Sequence, residues 1–336
     1  KNDGPLIVED ACLVCGTSFV YDAAMRVFYN NIDFNPNLEY LDDEIARKIT
    51  RHVNPTSGEI DFEFAISPRM VAVLHELAVP LSLLHYNNYF HFLIQALPTL
   101  AAADSDGILP NDAIIVSGPL KPSMRSALDL VIRKSYHRIE LADMAAVKCD
   151  RVLLARCSYH ANELISGEPP IGHFLSKNII LLRDILLTSL IKAEARNEEP
   201  SKIFIYRKSQ WRNLINIDEL ADLAYRFGYR VLVPEVHSFE EQVAIFNGAN
   251  KIIGPTGAWM ANLIFSKPDT SVNVLYPDTM KGSGFWDAYG ALLNIRLGGS
   301  YCSTDVPQNP AIRSFQPMHS NFYLAPESFA YILNEL

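Results

Sequence analysis

IFIYRKSQWRNLINIDEL (residues 203–220) and IIGPTGAWMANLIF (residues 252–265) set two arginines and a glycine turn at the ends of apolar strands. Outward from them the same rhythm repeats: KIFIY, helix IDELADLAYRFG, RVLVP, helix FEEQVAIFNGA, KIIG, helix AWMANLIF, then VNVLYP. Four short apolar strands separated by helices predict a parallel, doubly wound α/β sheet. Ligands of such sheets bind outside the carboxyl ends of the strands.

Upstream, PLSLLHY reads as a strand, and Asn88 can cap a helix FHFLIQALPTLAAA that Pro98 should kink or divide. AIIVSG, SMRSALDLVIRKSY and RVLLA continue as strand, helix, strand. The first sixty residues read as a β-rich prelude of hairpin strands such as SFVYDAAMRVFYN, with a polar segment running to Asp61. A helical pattern in residues 174–196 followed by polar NEEPSK places a boundary near Pro200. Two domains follow, residues 1–195 and 196–336, and the closing PESFAYILNEL reads as a helix available to pack back on the first domain.

A chain of 336 residues, 49% hydrophobic, can bury two such cores. A net charge of -9 argues against a duplex nucleic-acid partner. Cys12, Cys15, Cys149, Cys157 and Cys302 are too scattered for a disulfide scaffold, and the CLVC pair, with no second pair behind it, reads as strand cysteines rather than a metal or redox site. No apolar run is long enough to span a membrane, although peripheral association stays open. A start at Lys1 suggests a processed or trimmed chain. NPTSG is no sequon, and the few cysteines lean towards a bacterial cytoplasm; a secretory lumen is the alternative if an anchor has been trimmed.

Arg207 and Arg212 offer forked donors suited to a diphosphate; the competing reading pairs them with Asp218 or Glu219. Gly254 and Gly257 let backbone approach a ligand, and a helix from Ala258 aims N–H groups at it. Glu235 sits where a carboxylate could accept from ribose hydroxyls. Neither a Walker A loop nor GxGxxG is present. In the first half, His91 falls in the first turn of its helix, where the positive dipole end favours a neutral, proton-accepting ring; the competing reading buries it among Tyr89, Phe90 and Phe92. Lys281, Gly282, Gly284, Phe285 and Trp286 suggest a segment that closes over a base or sugar. Asp104 and Asp106 read as solvated surface. No cofactor is expected, and no metal, because the histidines and carboxylates lack ligand spacing and a DxD motif is missing.

NNYFHFLIQALPTL, IFIYRKSQWRNLINIDEL, VPEVHSFEEQVAIFNGANKIIGPTGAWMANLIF and VNVLYP, in that order, resemble the family 61 glycosyltransferases, which include plant xylan xylosyl- and arabinosyltransferases, animal N-acetylglucosaminyltransferases and bacterial capsule-type relatives. The resemblance implies a GT-B architecture, two Rossmann-like domains with an interdomain cleft, and inverting transfer from a nucleotide sugar, usually a UDP-sugar, to a glycan or glycoprotein acceptor. It implies donor contacts at Arg207, Arg212, Gly254, Gly257, Ala258 and Asn262, and an NxxH element of Asn88 and His91 in the acceptor domain. Thr256 stands where the family usually has histidine, Gln95 where it often has glutamate, and Phe92 where tryptophan is common. Those departures keep two other readings open: a non-catalytic glycan-binding or scaffold protein, and a Rossmann oxidoreductase.

Overall fold

The structure is a computed structural model that describes residues 5–17, 19–29, 48–54, 56–57, 60–81, 83, 85–132, 134–155, 159–162, 171–191, 201–281, 285–309 and 319–336. The chain forms two compact units, Lys1–Glu168 with Leu175–Ile185, and Pro169–Phe174 with Leu186–Leu336. The boundary expected near Pro200 lies outside the described residues, as does Cys157.

In the first unit, β1 (Leu6–Val14), β2 (Phe19–Asp22) and β3 (Val27–Tyr29) form an antiparallel meander. β4 (Ile49–Val53) and β5 (Ile60–Phe64) make a hairpin where a polar segment was expected. That hairpin alternates apolar and polar residues, but its strands are only five residues each and carry His52, Asp61 and Glu63, which blunts the pattern. β6 (Arg69–Leu81), β7 (Ile114–Ser117), β8 (His137–Glu140) and β9 (Ala145–Leu154) are mutually parallel, and the full order is β3-β2-β1-β9-β6-β7-β8. The prelude is therefore an extension of the parallel sheet: β1 lies antiparallel against β9 from Leu6↔Leu154 to Val14↔Ala146. Leu13, Ala78, Val116, Val147 and Val152 meet in its core. Cys15 donates its thiol to the Leu141 carbonyl at 3.2 Å inside this core, as a structural cysteine would.

The strand read in PLSLLHY ends at Leu81. His85 adopts a left-handed backbone (φ 52°) and accepts from the Asn88 N–H at 2.7 Å, which turns the chain out of the sheet. Asn88 then caps the next helix through Oδ1 on the Phe90 N–H, 3.0 Å. That helix changes register along its length, a π turn at His91–Ala96 leading into α1 (Leu97–Ser105). The change falls just before Pro98, whose missing N–H leaves no α-type donor for the Ile94 carbonyl. Asp104 is 9% exposed and accepts from the Tyr136 hydroxyl at 2.5 Å, so it belongs to the interior rather than to a solvated surface. α2 (Pro122–Val131) crosses from β7 to β8.

β10 (Tyr159–Asn162), β11 (Ile171–Phe174) and α3 (Ser176–Leu190) precede the second sheet. That sheet is wholly parallel: β12 (Ser201–Ile205), β13 (Arg230–Leu232), β14 (Ala249–Pro255), β15 (Ser271–Pro277) and β16 (Arg296–Cys302), in the order β13-β12-β14-β15-β16. α4 (Ile217–Arg226), α5 (Phe239–Gly248), a 3-10 helix at Ala258–Phe265 and α6 (Phe285–Leu293) join successive strands. β16 is a fifth strand beyond the four expected. Its RLGGSYC sequence hides the strand behind two glycines, and a β-carbon on Gly299 would lie 2.6 Å from the Tyr276 ring. The closing helix α7 (Pro326–Glu335) packs within this unit: Phe329 meets Phe204 edge-on, ring centroids 5.4 Å apart, in one core with Leu220, Ile253 and Leu333. None of the helices among the described residues is long and apolar enough to cross a membrane.

Candidate functional site

The order β13-β12-β14 reverses direction at β12, since the chain goes outward from β12 to β13 and returns past it to β14. Helices leaving β12 and β14 thereby fall on opposite faces, and the loops after these two strands part there, the place where ligands of open parallel sheets bind. Arg207 follows β12, and the Gly254–Gly257 turn ends β14. The two features lie side by side. A β-carbon on Gly257 would stand 2.7 Å from Arg207 Nε, and one on Gly254 would stand 2.5 Å from the Ile205 β-carbon. Gly257 is extended (φ 174°), so it is required for space and not for a special backbone. Gly254 serves close packing between β12 and β14; Gly257 makes room for the arginine.

The loop after β12 curls around the Arg207 guanidinium. Nη1 donates to the Arg212 carbonyl at 3.0 Å and Nη2 to the Trp211 carbonyl at 3.2 Å. Arg212 adopts a left-handed backbone (φ 54°), and its N–H donates to the His319 carbonyl at 3.1 Å. The segment around His319 straps the loop further: Asn213 N–H donates to Asn321 Oδ1 at 3.1 Å, Phe322 N–H to the Asn213 carbonyl at 2.9 Å, and Ile215 N–H to the Phe322 carbonyl at 2.9 Å. Trp211 and His319 face each other with ring centroids 5.6 Å apart. Sequence reading missed this strap, which joins residues far apart in the chain with no pattern linking them.

Neither arginine has an ion-pair partner among the described residues. Asp218, the carboxylate expected to compete for them, is held by the Tyr206 hydroxyl at 2.6 Å and by Lys208 Nζ at 2.9 Å. Glu219 accepts from Asn216 at 3.2 Å. Burial pushes the Arg207 guanidinium down from its ordinary value, and the charge of Glu235, beyond β13, partly offsets this. Arg212 is pushed down to about 10, chiefly by burial and then by the charge of Arg207. Its Nε is buried with no hydrogen-bond partner. Two neighbouring cations and an orphaned buried donor leave this loop able to take an anion.

Other expected residues lie differently. Thr256 is 1% exposed, its N–H donates to the Leu275 carbonyl at 3.0 Å and its hydroxyl meets the Met260 sulfur at 3.8 Å. Asn262 is equally buried and donates to Gln242 Oε1 at 2.8 Å, while Gln242 donates to the His237 carbonyl at 3.1 Å. Both side chains thus face the core, and Ala258 is half-buried at the start of the 3-10 helix. Lys281 is exposed. Trp286 meets Tyr289 edge-on at 6.1 Å, and the Tyr289 hydroxyl donates to the Ala261 carbonyl at 3.2 Å. Gly282 and Gly284 lie outside the described residues.

In the first unit His91 is half-buried in the π turn, below the cap made by Asn88. Its Nδ1 lies 2.9 Å from Gln95 Oε1, and its ring stacks on His85 with centroids 4.8 Å apart and planes at 24°. Phe92 is fully buried behind it. His91 is therefore neither lost in the core nor loose on the surface.

No curated protein matches the chain. The family described as Glycosyltransferase 61 matches residues 89–273, more than half of the sequence, from the helix that carries His91 to the fourth strand of the parallel sheet. The chain belongs to the glycosyltransferase 61 family.

Proposed function

We propose that this glycosyltransferase is an inverting enzyme of GT-B architecture that moves a sugar from a nucleoside diphosphate donor, a UDP-sugar, to a hydroxyl of a glycan or protein. The observation that carries this reading is the pair of half-buried arginines, neither ion-paired among the described residues and one with an orphaned Nε, at the switch point of a parallel sheet. Such a pair binds a diphosphate leaving group and does for it what a cation does in other transferases. Glu235 accepts from the ribose hydroxyls, and the Gly254–Gly257 turn with Ala258 lines the same donor site. Thr256 and Asn262 hold the shape of that turn from behind. Asn88, Lys281 and Trp286 serve the acceptor or close over the donor.

In the transfer step the acceptor oxygen attacks the anomeric carbon as His91 takes the hydroxyl proton. The carbon–oxygen bond to the diphosphate breaks on the opposite face, and its electron pair leaves as negative charge opposite Arg207 and Arg212. Calorimetry with UDP tests the donor half: Arg207→Ala should abolish binding, and unchanged affinity removes its role. For the acceptor half, His91→Ala should keep donor affinity while transfer falls by roughly 100-fold or more.

A second reading is favoured by Gln95 and Thr256, which replace a charged and a polar family residue by an amide and a buried hydroxyl: a glycan-binding protein without transfer. Absence of both transfer and donor hydrolysis across a panel of sugar nucleotides would establish it.

A further inference from the structure

We propose that Gln95 is a positioning residue that holds His91 in the tautomer protonated on Nδ1, so that Nε2 carries the lone pair that takes the acceptor proton. The inference rests on the reading of His91 as the base. The amide oxygen of Gln95 stands 2.9 Å from His91 Nδ1 and can only accept, so the hydrogen between them belongs to the imidazole. Gln95 is 5% exposed and cannot be replaced by bulk water.

The local backbone is arranged to present this pair. His91 and Gln95 open and nearly close one π turn, in which the Leu97 N–H reaches back to the Phe92 carbonyl. The Thr99 hydroxyl donates to the Gln95 carbonyl at 2.8 Å and fixes the residue at the turn's end. Stacking on His85 sets the plane of the imidazole, and the Gln95 bond sets its rotation within that plane. The hydrogen bond made by one ring nitrogen decides the state of the other. An amide does this without adding charge. A carboxylate in its place would orient the ring equally but would also favour the imidazolium, which has no lone pair to offer.

Two variants and one spectroscopic signature test the proposal. In long-range nitrogen–proton spectra of the full chain labelled with 15N-histidine, the His91 signal is assigned by its disappearance in His91→Ala. It should show the proton on Nδ1, and in Gln95→Met it should pass to Nε2 or to a mixture. A wild-type signal protonated on Nε2, or the same tautomer in both proteins, overturns the proposal. In transfer assays Gln95→Met should lower kcat by about 10- to 100-fold with donor KM unchanged, the usual effect of losing a residue that orients a functional histidine. Gln95→Glu, which keeps the accepting oxygen but favours the imidazolium, should recover that loss increasingly as pH rises and the ring turns neutral, and no recovery at any pH would argue for packing alone. Normal turnover in His91→Ala would remove His91 as base while the tautomer measurement still decides the Gln95 contact. If Gln95→Met fails to fold, the wild-type spectrum decides alone.

Discussion

Arg212 is held where burial and the neighbouring Arg207 disfavour its charge. Its backbone is left-handed, which costs a side-chain-bearing residue about 1–2 kcal/mol. Its half-buried guanidinium feels the charge of Arg207, and its Nε is buried and orphaned. Arg212→Gly removes all three burdens and should raise the melting temperature measured without nucleotide while abolishing the further rise produced by UDP. The pH dependence has a definite sign. The folded-state value, about 10, lies below the ordinary 12.5, so the folded state resists the charged form. The resulting penalty is fully present at neutral pH and lifts as pH climbs through 10. The stability gap between Arg212→Gly and wild type, measured by urea unfolding, should therefore narrow from pH 8 to pH 11; a constant or widening gap contradicts the burial of the charge. The two glycines of the turn separate fold from function in the same way. A methyl on Gly254 strikes the Ile205 side chain between two strands and should cost about 1–3 kcal/mol, with donor affinity intact in whatever folds. A methyl on Gly257 strikes the Arg207 side chain, so Gly257→Ala should weaken UDP binding more than it weakens the fold, as parallel calorimetry and unfolding would show.

At the scale of elements, α7 is the helix expected from PESFAYILNEL, and it completes the core of the second unit. It packs on β12 and α4, with Phe329 against Phe204 of the strand that leads to Arg207. Phe329→Ala should cost about 3–5 kcal/mol, a loss read from the urea midpoint and larger than an exposed position such as Tyr331 would give. The sheet's own strands were legible because KIFIY, KIIG and VNVLYP are continuous apolar runs, as strands buried on both faces must be. β16 and the β4–β5 hairpin were not, because glycines in one and charged residues in the other erase the pattern. In the site, Arg207 and Gly257 could be read from their places at strand ends. The left-handed turn at Arg212 and the strap from His319 could not, since they depend on hydrogen bonds between distant segments. The inward direction of Thr256 and Asn262 was hidden for another reason. They lie where the strand gives way to a 3-10 helix, whose three residues per turn rotate side chains away from the phase an α-helix would give.

On the whole molecule, the proposed nucleotide-sugar donor is an anion, and the chain that would bind it has a net charge of -9. The long-range field would oppose the encounter, and the local pair of arginines would favour it. Salt distinguishes the two ranges. Charges exposed to solvent are screened beyond about 8–10 Å at ordinary ionic strength, whereas buried ones are screened much less. Raising salt should then weaken the repulsion from the distant carboxylates about as much as it weakens the attraction to Arg207 and Arg212. The expected outcome is a UDP affinity that changes by less than about threefold between 50 and 300 mM sodium chloride, against the orders of magnitude lost by proteins that hold phosphates with exposed cations. Calorimetry across that range checks it. A tenfold or greater loss would move the binding from the buried arginines to exposed lysines such as Lys208 and Lys281, and would be matched by loss of affinity in Lys281→Ala rather than in Arg207→Ala.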